Sequence, residues 1–425
     1  MATGRGVRAC DRPKAKRGLL RWSRRLHLSP VQVYKTEVSI KTSSLLYLVL
    51  IASVGSIGAP PTAVNLNGGV HNGSVLIPVF LNGKPLSFLL DTGSSRSTLN
   101  AFLVEPLKLE QGAAADVLGN YGVQSLHTVR VKNLKVGGFE FSDQTLVVAN
   151  LDAVSRAVGV SVDGVLGNDV LRTVTFKLSY SKQSATFGVL SQFGNLGTPI
   201  KLREDGNQFF VPITLFSVAR ELLLDTGTNS TNLSWETWEQ LSKIWTPKSV
   251  IDGIASSGNS ASTAFLVCIP NVRVGNIEIK NQPVRVQNPV STGAFSEPGF
   301  EGILGSDFWR QFEVTFDLSH ALLYLKPDTG FRPDPYKYVT LGIQFAKDTS
   351  GAFTVVSVWK NSPAAEAGIE PGDRIAAVGG QSVKDLTPEQ LSKRLHAKAG
   401  TPIKLKIEHE NTSSVVTVRT RKLLC

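Results

Sequence analysis

The chain carries the same acidic tripeptide twice, each time at the end of an apolar run, and this repeat constrains the fold more than any other feature. Residues 88–94 read Phe-Leu-Leu-Asp-Thr-Gly-Ser, and residues 222–228 read Leu-Leu-Leu-Asp-Thr-Gly-Thr. An apolar run that stops at a Gly-containing tripeptide is typical of a buried strand followed by a tight turn. A carboxylate at the end of a buried strand is costly. Asp91 and Asp225 are therefore candidate functional groups, which a fold can bring face to face.

The sequence around each tripeptide repeats in the same order. Residues 133–141 (Asn-Leu-Lys-Val-Gly-Gly-Phe-Glu-Phe) correspond to residues 271–279 (Asn-Val-Arg-Val-Gly-Asn-Ile-Glu-Ile), and both predict a strand, a turn and a second strand. Each copy closes with an acidic residue, Gly, two apolar residues and Gly, at 163–167 and 301–305. The offset stays between 134 and 140 residues, which indicates a tandem duplication.

These paired motifs resemble those of aspartic proteases, in particular the retropepsin-like group. The resemblance implies a mainly β protein in which two retropepsin-like β-barrel lobes, residues 66–195 and 196–326, form a pseudo-dimeric acid-protease fold. Viral members of the group build one site from two identical chains, so this chain looks like a fused retropepsin dimer. The short link between Phe187 and Phe209 favours pairing of the two lobes within one chain, and we expect a monomer.

Two paired aspartates suit the hydrolysis of a peptide bond by an activated water. When two carboxyl groups lie within hydrogen-bond reach, like-charge repulsion keeps them from ionising together, so the pair holds one proton and acts as base and acid at once. The apparent pKa values belong to the pair. We therefore predict Asp91 and Asp225 as the catalytic residues. This chemistry implies no cofactor, and no Cys/His cluster has the spacing of metal ligands.

Six neighbours of the aspartates are predicted to support the active loops: Thr92, Gly93, Ser94, Thr226, Gly227 and Thr228. The two glycines allow backbone N–H groups to approach the carboxylates. The resemblance implies that the two threonines directly after the aspartates hydrogen-bond across the lobes. It also implies that Ser94 and Thr228 bond the outer carboxylate oxygens. A third Asp-Thr-Gly, at 328–330, follows Pro327 and has no closing motif, so we interpret it as part of a linker.

Substrate cover in this family comes from two hairpins called flaps. The matching regions are 119–122 and 255–260, which contain Gly and polar residues as surface loops do. Tyr121 is a candidate to line the cleft, although a solvent-facing loop aromatic is an equally good interpretation. Because the two regions differ in sequence, we expect an asymmetric substrate preference.

The first 62 residues form a basic leader followed by a signal or anchor segment. Residues 1–42 carry eleven Lys or Arg and two acidic residues, so they account for +9 of the formal net charge of +11. The rest of the chain is nearly neutral, which argues against nucleic-acid binding. The fifteen-residue apolar run 45–59 resembles a secretory signal peptide and is shorter than the roughly 20 residues that a transmembrane helix needs. We expect a periplasmic or secreted protein, with a retained membrane anchor as the second choice.

Cysteine is rare in this chain. Cys10 belongs to the leader, which leaves Cys268 in an apolar strand and Cys425 as the last residue. We therefore expect no disulfide framework and interpret Cys268 as a small core residue.

A Pro-rich stretch at 327–338 predicts a linker, and residues 339–425 resemble a PDZ domain of the bacterial-protease type. The resemblance rests on the start of this segment and on residues 362–375, Ser-Pro-Ala-Ala-Glu-Ala-Gly-Ile-Glu-Pro-Gly-Asp-Arg-Ile. A Gly-containing loop that leads into a strand can present N–H groups to a peptide's terminal carboxylate, while the peptide adds a strand beside a helix. The predicted peptide-binding residues are Leu341, Gly342, Ile343, Gln344 and Phe345.

The helix of this domain is predicted to begin after Thr387, which can cap it, with Pro388 in the first turn. Gln390 can complete a capping box. Leu391 and Leu395 lie on one side of this helix and face either the groove or the core, of which the core is the better prediction.

Together, these features predict an exported aspartic-type endopeptidase whose PDZ domain binds peptide or protein C-termini. The alternative is a non-catalytic peptide-binding or scaffold protein with a degenerate protease fold, which a distorted or widely separated pair of aspartates would favour. A third possibility is that each lobe pairs with a second chain, which predicts an obligate homodimer.

Overall fold

The computed structural model describes residues 63–65, 69–119, 122–255, 263–334, 338–348, 350–410 and 412–425. They belong to one compact unit. The leader with its apolar run 45–59, Tyr121 of the first predicted flap and residues 256–260 of the second lie outside the described residues.

The first lobe is a barrel-like sheet with two short helices. Its elements are β1 (Ala63–Asn65), β2 (Val70–His71), β3 (Ser74–Leu81), β4 (Lys84–Leu90), β5 (Thr98–Asn100), β6 (Gln111–Gly119), β7 (Gly122–Val136), β8 (Phe139–Ala149), α1 (Asp152–Val158), β9 (Gly164–Leu166), α2 (Asn168–Leu171), β10 (Thr175–Ser179) and β11 (Ser184–Gly188), with 3-10 turns at Ala101–Leu103 and Leu190–Gln192. Eight strands pair in the order β2-β3-β4-β9-β5-β8-β7-β6, and an additional pairing of β3 with β7 closes the sheet on itself.

The second lobe repeats this arrangement. Its elements are β12 (Thr198–Lys201), β13 (Arg203–Asp205), β14 (Gln208–Leu215), β15 (Val218–Leu224), β16 (Asn232–Leu233), α3 (Trp235–Ser242), β17 (Val250–Ala255), β18 (Thr263–Val274), β19 (Ile277–Gln287), β20 (Gly302–Leu304), α4 (Ser306–Trp309), β21 (Phe312–Asp317) and β22 (Leu322–Pro327), with 3-10 turns at Ala294–Ser296 and Leu318–His320. The sheet order is β13-β14-β15-β20-β16-β19-β18-β17, with β14 also paired to β18. The expected mainly β fold with two retropepsin-like lobes is confirmed.

A third sheet joins the lobes within one chain. Its order is β1-β11-β10-β21-β22-β12, so three strands of the first lobe continue without a break into three strands of the second. The antiparallel pair β10–β21 forms the seam, where the rings of Phe176 and Phe316 stack with centroids 4.4 Å apart. The buried side chains of both lobes form one continuous hydrophobic core. The two copies of the duplication are therefore halves of one folded body.

The C-terminal domain has its own core and sheet. Its elements are β23 (Val339–Thr340), β24 (Ile343–Lys347), β25 (Phe353–Val358), α5 (Pro363–Glu366), β26 (Arg374–Val378), β27 (Gln381–Ser382), α6 (Pro388–Leu395), β28 (Pro402–His409), β29 (Thr412–Arg419) and β30 (Arg421–Lys422). The sheet order is β24-β25-β26-β28-β29. The predicted helix start is confirmed, because Thr387 and Gln390 form the capping box of α6. Leu391 and Leu395 are buried in the core, as predicted.

The C-terminal domain is bound covalently to the second lobe. Cys268 on β18 and Cys425 form a disulfide with a Cα–Cα distance of 5.8 Å, so the expectation of no disulfide and of a simple core role for Cys268 is wrong. The two cysteines are 157 residues apart, and sequence spacing gives no indication of such a pair. Beside the disulfide, Lys360 donates its backbone N–H to the Asp252 carbonyl and forms an ion pair with the Asp252 carboxylate.

The third Asp-Thr-Gly is a loop, but not a free linker. Asp328 is buried and accepts hydrogen bonds from the hydroxyl of Ser181 (2.6 Å) and the N–H of Gly330 (2.8 Å). This contact fastens the segment after β22 to the first lobe. Asp328 is therefore a structural carboxylate away from the paired aspartates.

Candidate active site

The two candidate aspartates lie at equivalent strand ends in the two lobes. Asp91 follows β4 and its N–H donates to the Leu166 carbonyl of β9 (3.1 Å), while Asp225 follows β15 and donates to Leu304 of β20 (3.2 Å). The pairs β4–β9 and β15–β20 are parallel. The closing motifs of the sequence thus form the strands that hold the aspartates.

The two carboxyl groups meet across the interface between the lobes. A Cβ atom placed on Gly227 would lie 2.4 Å from the Asp91 carboxyl carbon, and one on Gly93 would lie 2.5 Å from that of Asp225. Each carboxyl group therefore occupies space that only glycine in the opposite loop leaves open. The two aspartates are also close enough to share a hydrogen bond.

The threonines after the aspartates bind the two loops together, as the resemblance implies. The Thr92 hydroxyl donates to the Leu224 carbonyl (3.0 Å) and accepts from the Thr226 N–H (3.1 Å). The Thr226 hydroxyl donates to Leu90 (2.8 Å) and accepts from the Thr92 N–H (3.1 Å). Both threonines are fully buried. These four reciprocal bonds fix the position of one aspartate relative to the other.

Backbone donors orient the carboxylates. The Gly93 N–H donates to Asp91 Oδ1 (2.8 Å), and the N–H groups of Gly227 (2.7 Å) and Thr228 (3.0 Å) donate to Asp225 Oδ1. The Ser94 hydroxyl instead donates to the Arg96 carbonyl (2.8 Å), so Ser94 contributes to the Asp91 carboxylate only through its backbone N–H. A short hydroxyl side chain can turn toward either acceptor, and the resemblance does not determine which.

Burial raises the pKa of both carboxyl groups. For Asp225, which is 8% exposed, burial and the neighbouring Asp91 charge raise the pKa well above its ordinary range. For Asp91, burial raises the pKa, and hydrogen bonds from Gly93 and Asp225 partly offset the effect. The pair is thus arranged to hold one proton between its two carboxyl groups.

A second set of buried polar residues supports each active loop. The sequence patterns did not predict a supporting role for these residues. In the first lobe, Ser97 donates its hydroxyl to Asp169 (2.6 Å) and accepts from the Gly167 N–H (3.0 Å). In the second lobe, the Thr231 hydroxyl and Asp307 make the same pair at 2.7 Å. Both pairs lie at repeated positions of the duplication, and that repetition is the signal that could have revealed them.

One support differs between the lobes. Asn168, fully buried in α2, donates to the Thr92 carbonyl (2.7 Å) and to the carbonyl of Asn207 in the second lobe (2.8 Å). Its counterpart Ser306 is equally buried, but its hydroxyl has no hydrogen-bond partner among the described residues. The loop that carries Asp91 is therefore held by a contact that the Asp225 loop lacks.

Comparison with known families agrees with this geometry. A model of the aspartyl protease family matches residues 77–170 and 211–308, and a PDZ domain model matches residues 339–420. The chain contains an aspartyl protease domain in two parts and a C-terminal PDZ domain.

Two curated bacterial proteases also resemble part of the chain. One is a probable CtpA-like serine protease of Staphylococcus saprophyticus, 31% identical over 86 residues, which are 20% of this chain and 17% of that protein. The other is the carboxy-terminal processing protease CtpA of Bacillus subtilis, 33% identical over 69 residues, 16% of this chain and 15% of that protein. The chain spans less than a fifth of the length of either relative, and both relatives are named as proteases.

In the PDZ domain, β24 is the outermost strand of its sheet among the described residues and pairs there with β25. Gly342 has a φ of +84°, and a Cβ there would lie 2.2 Å from that of Ser362, so only glycine fits. Leu341 and Ile343 are core residues, whereas Gln344 and Phe345 are half-buried along the strand.

Neither a metal cluster nor a membrane span is found in the part of the chain that the structure describes. No group of three or more His, Cys, Asp or Glu side chains there could hold a metal ion. None of the helices within the described ranges is long and apolar enough to cross a membrane. The apolar run 45–59 lies outside those ranges.

Proposed function

We propose that this protein is an exported aspartic-type endopeptidase, which hydrolyses peptide bonds with a water activated between Asp91 and Asp225. The observation that carries the proposal is the apposition of the two carboxyl groups, each lying against the glycine of the opposite loop. A distorted or widely separated pair would favour the non-catalytic alternative. The close contact and the intact threonine bonds on both sides support turnover instead.

The two carboxyl groups share one proton at the start, because burial and like charge oppose the ionisation of both together. With the proton on Asp225, Asp91 is the ionised member, and the opposite assignment gives the same products. Backbone N–H groups hold one oxygen of each carboxyl group, which leaves the remaining oxygens for water and substrate.

Hydrolysis follows in two proton-balanced steps. First, the water oxygen attacks the carbonyl carbon while one of its protons passes to Asp91, and Asp225 gives its proton to the carbonyl oxygen. The product is a neutral tetrahedral diol. Next, Asp91 donates its proton to the amide nitrogen, Asp225 takes a proton from a diol hydroxyl, and the C–N bond breaks. The pair returns to its starting protonation state with an acid and an amine released.

The name of the Staphylococcus saprophyticus relative, a probable CtpA-like serine protease, suggests a different nucleophile. The matches of the two relatives cover 86 and 69 residues, about the size of the PDZ domain match at 339–420 and too small a share of either relative to carry an activity to this chain. The paired aspartates favour the aspartic mechanism.

We further propose that the PDZ domain binds peptide C-termini and that the protein is exported. The position of β24 at the end of the described sheet, directly after Gly342, supports peptide binding. The disulfide between Cys268 and Cys425 supports an oxidising compartment, which agrees with a signal segment at 45–59. A retained anchor is the second choice for that segment.

Cleavage of a diverse peptide library by the purified protein, from acid to neutral pH, tests the proposed chemistry. Asp91→Asn and Asp225→Asn should each abolish cleavage while the variants still unfold cooperatively on heating, and a statine-type inhibitor should block the parent. Asp328→Asn is the matched control, because it alters the third Asp-Thr-Gly, and it should remain active.

Three results would count against the proposal. Activity that survives either dyad substitution would refute the shared dyad. Inhibition by a serine-directed reagent, with no effect of statine, would support the serine-type alternative. A folded parent that cleaves nothing at any pH would support the peptide-binding alternative.

A further inference from the structure

A cavity lies where the C-terminal domain meets the second lobe. Its volume is about 430 Å³, within the range of about 300–1,000 Å³ that is usual for small-ligand pockets. The second lobe lines it with the first half of β19 and with α4 and the two residues after that helix. The C-terminal domain lines it with β23, β30 and residues 424–425. Because Cys425 is one of these residues, the disulfide to Cys268 holds one wall of the cavity against the other.

Two buried polar residues of the lining connect this cavity to the active loop of the second lobe. Gln282, which is 3% exposed, donates its side-chain amide to Asp307 Oδ2 (3.3 Å). The other oxygen, Asp307 Oδ1, accepts from the Thr231 hydroxyl (2.7 Å). That hydroxyl in turn accepts from the N–H of Gly305 (3.3 Å), directly after the strand that holds Asp225. A ligand that binds against Gln282 therefore contacts the network that positions Asp225.

The lining also contains a guanidinium group that lacks the ion pair of its counterpart. Arg310 follows the closing motif of the second lobe as Arg172 follows that of the first. Arg172 bonds the Glu204 carboxylate of the opposite lobe (2.7 Å). The counterpart of Glu204 is Val70, which offers no acceptor. Arg310 forms no ion pair with a described residue, and its Nε is buried without a hydrogen-bond partner among them.

The rest of the lining is partly cationic and partly apolar. Lys280 and Lys422 are exposed cations at the cavity. The Asp307 carboxylate is already hydrogen-bonded through both oxygens. Apolar side chains from the second lobe, the segment after β22 and the C-terminal domain complete the walls: Ile279, Phe331 and Leu424. These walls suit a ligand that has an anionic end and an apolar body.

We propose that this cavity is a second binding site, which takes the free carboxylate end of a short apolar peptide, and that Arg310 binds the carboxylate. Guanidinium and carboxylate groups match in bidentate geometry. The endopeptidase function proposed above releases such peptides, because each hydrolysis leaves a new carboxylate end. Occupancy of the site then acts on the Asp225 loop through the buried network, so products regulate turnover. Only this regulatory role rests on the proposed function.

Calorimetric titration of the full chain with acetyl-Ala-Leu and with its C-terminal amide tests the site without depending on proteolysis. The acid should bind about 10- to 100-fold more tightly than the amide, which is the equivalent of the charged hydrogen bonds gained. Arg310→Gln should weaken binding of the acid by the same factor. Arg172→Gln is the matched control in the first lobe and should bind the acid as the parent does.

Two results would overturn the proposed site. One is equal binding of the acid and the amide. The other is binding of the acid that Arg310→Gln leaves unchanged, which would place the peptide in the PDZ domain instead. If Arg310→Gln does not fold, Lys422→Gln removes another cation of the lining at an exposed position and should also weaken binding of the acid. Unchanged binding by that variant would count equally against the site.

Kinetics separate the regulatory role from the endopeptidase function. In an active parent, saturating acetyl-Ala-Leu should change kcat, and Arg310→Gln should abolish this response. A change in KM alone would show competition in the active cleft and would refute regulation through the cavity, as would binding with no kinetic effect. A folded parent that binds the acid through Arg310 but cleaves nothing would overturn the endopeptidase function and the regulatory role while the binding site stands.

Discussion

The buried amide of Asn168 should stabilise the protein and the Asp91 loop, whereas the buried hydroxyl at the equivalent position, Ser306, should not. Asn168→Ala removes the two hydrogen bonds to the Thr92 and Asn207 carbonyls. Ser306→Ala removes a hydroxyl that bonds nothing among the described residues. The two substitutions therefore compare a buried polar side chain that makes hydrogen bonds with one that makes none among the described residues, at equivalent positions of the two lobes.

The expected magnitude follows from the bonds lost. A buried hydrogen bond contributes about 0.5–1.5 kcal/mol net, so two contribute about 1–3 kcal/mol. Two carbonyls left without a donor push the loss upward, while removal of the unpartnered Asn168 Oδ1 offsets part of it. We expect a destabilisation of about 2 kcal/mol, or about 4–8 °C in Tm at about 2–4 °C per kcal/mol. Ser306→Ala should leave Tm unchanged or raise it.

Thermal unfolding and steady-state kinetics check this prediction together. Because Asn168 holds the carbonyl of Thr92, next to Asp91, its loss should lower kcat more than it raises KM. Asn168→Ser places the counterpart residue of the second lobe there and should behave like Asn168→Ala. A Tm within about 1 °C of the parent, or equal losses for Asn168→Ala and Ser306→Ala, would refute the reasoning.

Two further predictions concern the disulfide and the dyad. Cys425→Ser opens a loop of 157 residues, and loss of the chain-entropy effect destabilises the protein by at most about 5 kcal/mol. The Tm of the variant should therefore fall below that of the parent and no longer respond to reductant. A parent whose Tm does not change with reductant would contradict this prediction. The pKa of Asp225 is higher in the folded state than its ordinary value of 3.8. Its contribution to the free energy of unfolding is therefore complete below pH 3.8 and is lost as the pH rises through the pKa of the folded state. Asp225→Asn should therefore melt higher than the parent at pH 7, with the difference vanishing near pH 3, and a difference that does not depend on pH would exclude this cause.

The duplication made most of the protease fold predictable. The repeated strand-turn-strand pattern at 133–141 and 271–279 corresponds to the hairpins β7–β8 and β18–β19. The two Asp-Thr-Gly copies predicted the meeting of Asp91 and Asp225, because equivalent loops of a pseudo-dimer face each other across its axis. Local signals also sufficed for α6, where the cap and the capping box lie within four residues of sequence.

Contacts that occur in only one copy of the duplication could not be predicted from the sequence. Cys268 has Arg130 as its counterpart by hairpin register, an exposed residue paired with Asp143, so no repeat marks the disulfide. The Ser94 hydroxyl donates to a backbone carbonyl instead of the Asp91 carboxylate. This depends on the side-chain rotamer, which the sequence does not determine. Asn168 was visible in the closing motif, but its partner Asn207 lies on a hairpin of the other lobe.

The contacts that occur in only one lobe also favour pairing of the first lobe with the second over pairing of two identical lobes. Asn168 of the first lobe meets Asn207 of the second, and at the mirrored contact Ser306 of the second lobe lies against Gly73 of the first. Gly73 and Asn207 are themselves counterparts in the duplication. In two copies of the first lobe, Gly73 would stand at the place of Asn207 and lack the side chain that bonds Arg172 and the Ser95 carbonyl. In two copies of the second lobe, the smaller Ser306 would stand where Asn168 bonds the carbonyl of Asn207.

Each pair of like lobes therefore loses hydrogen bonds that the unlike pair makes, and each of these contributes about 0.5–1.5 kcal/mol. Specificity of this kind arises from mismatches in the wrong assembly as much as from fit in the right one. The short connection from β11 to β12 also raises the effective concentration of the second lobe near the first. Divergence at these positions thus favours a site that contains one Asp91 and one Asp225.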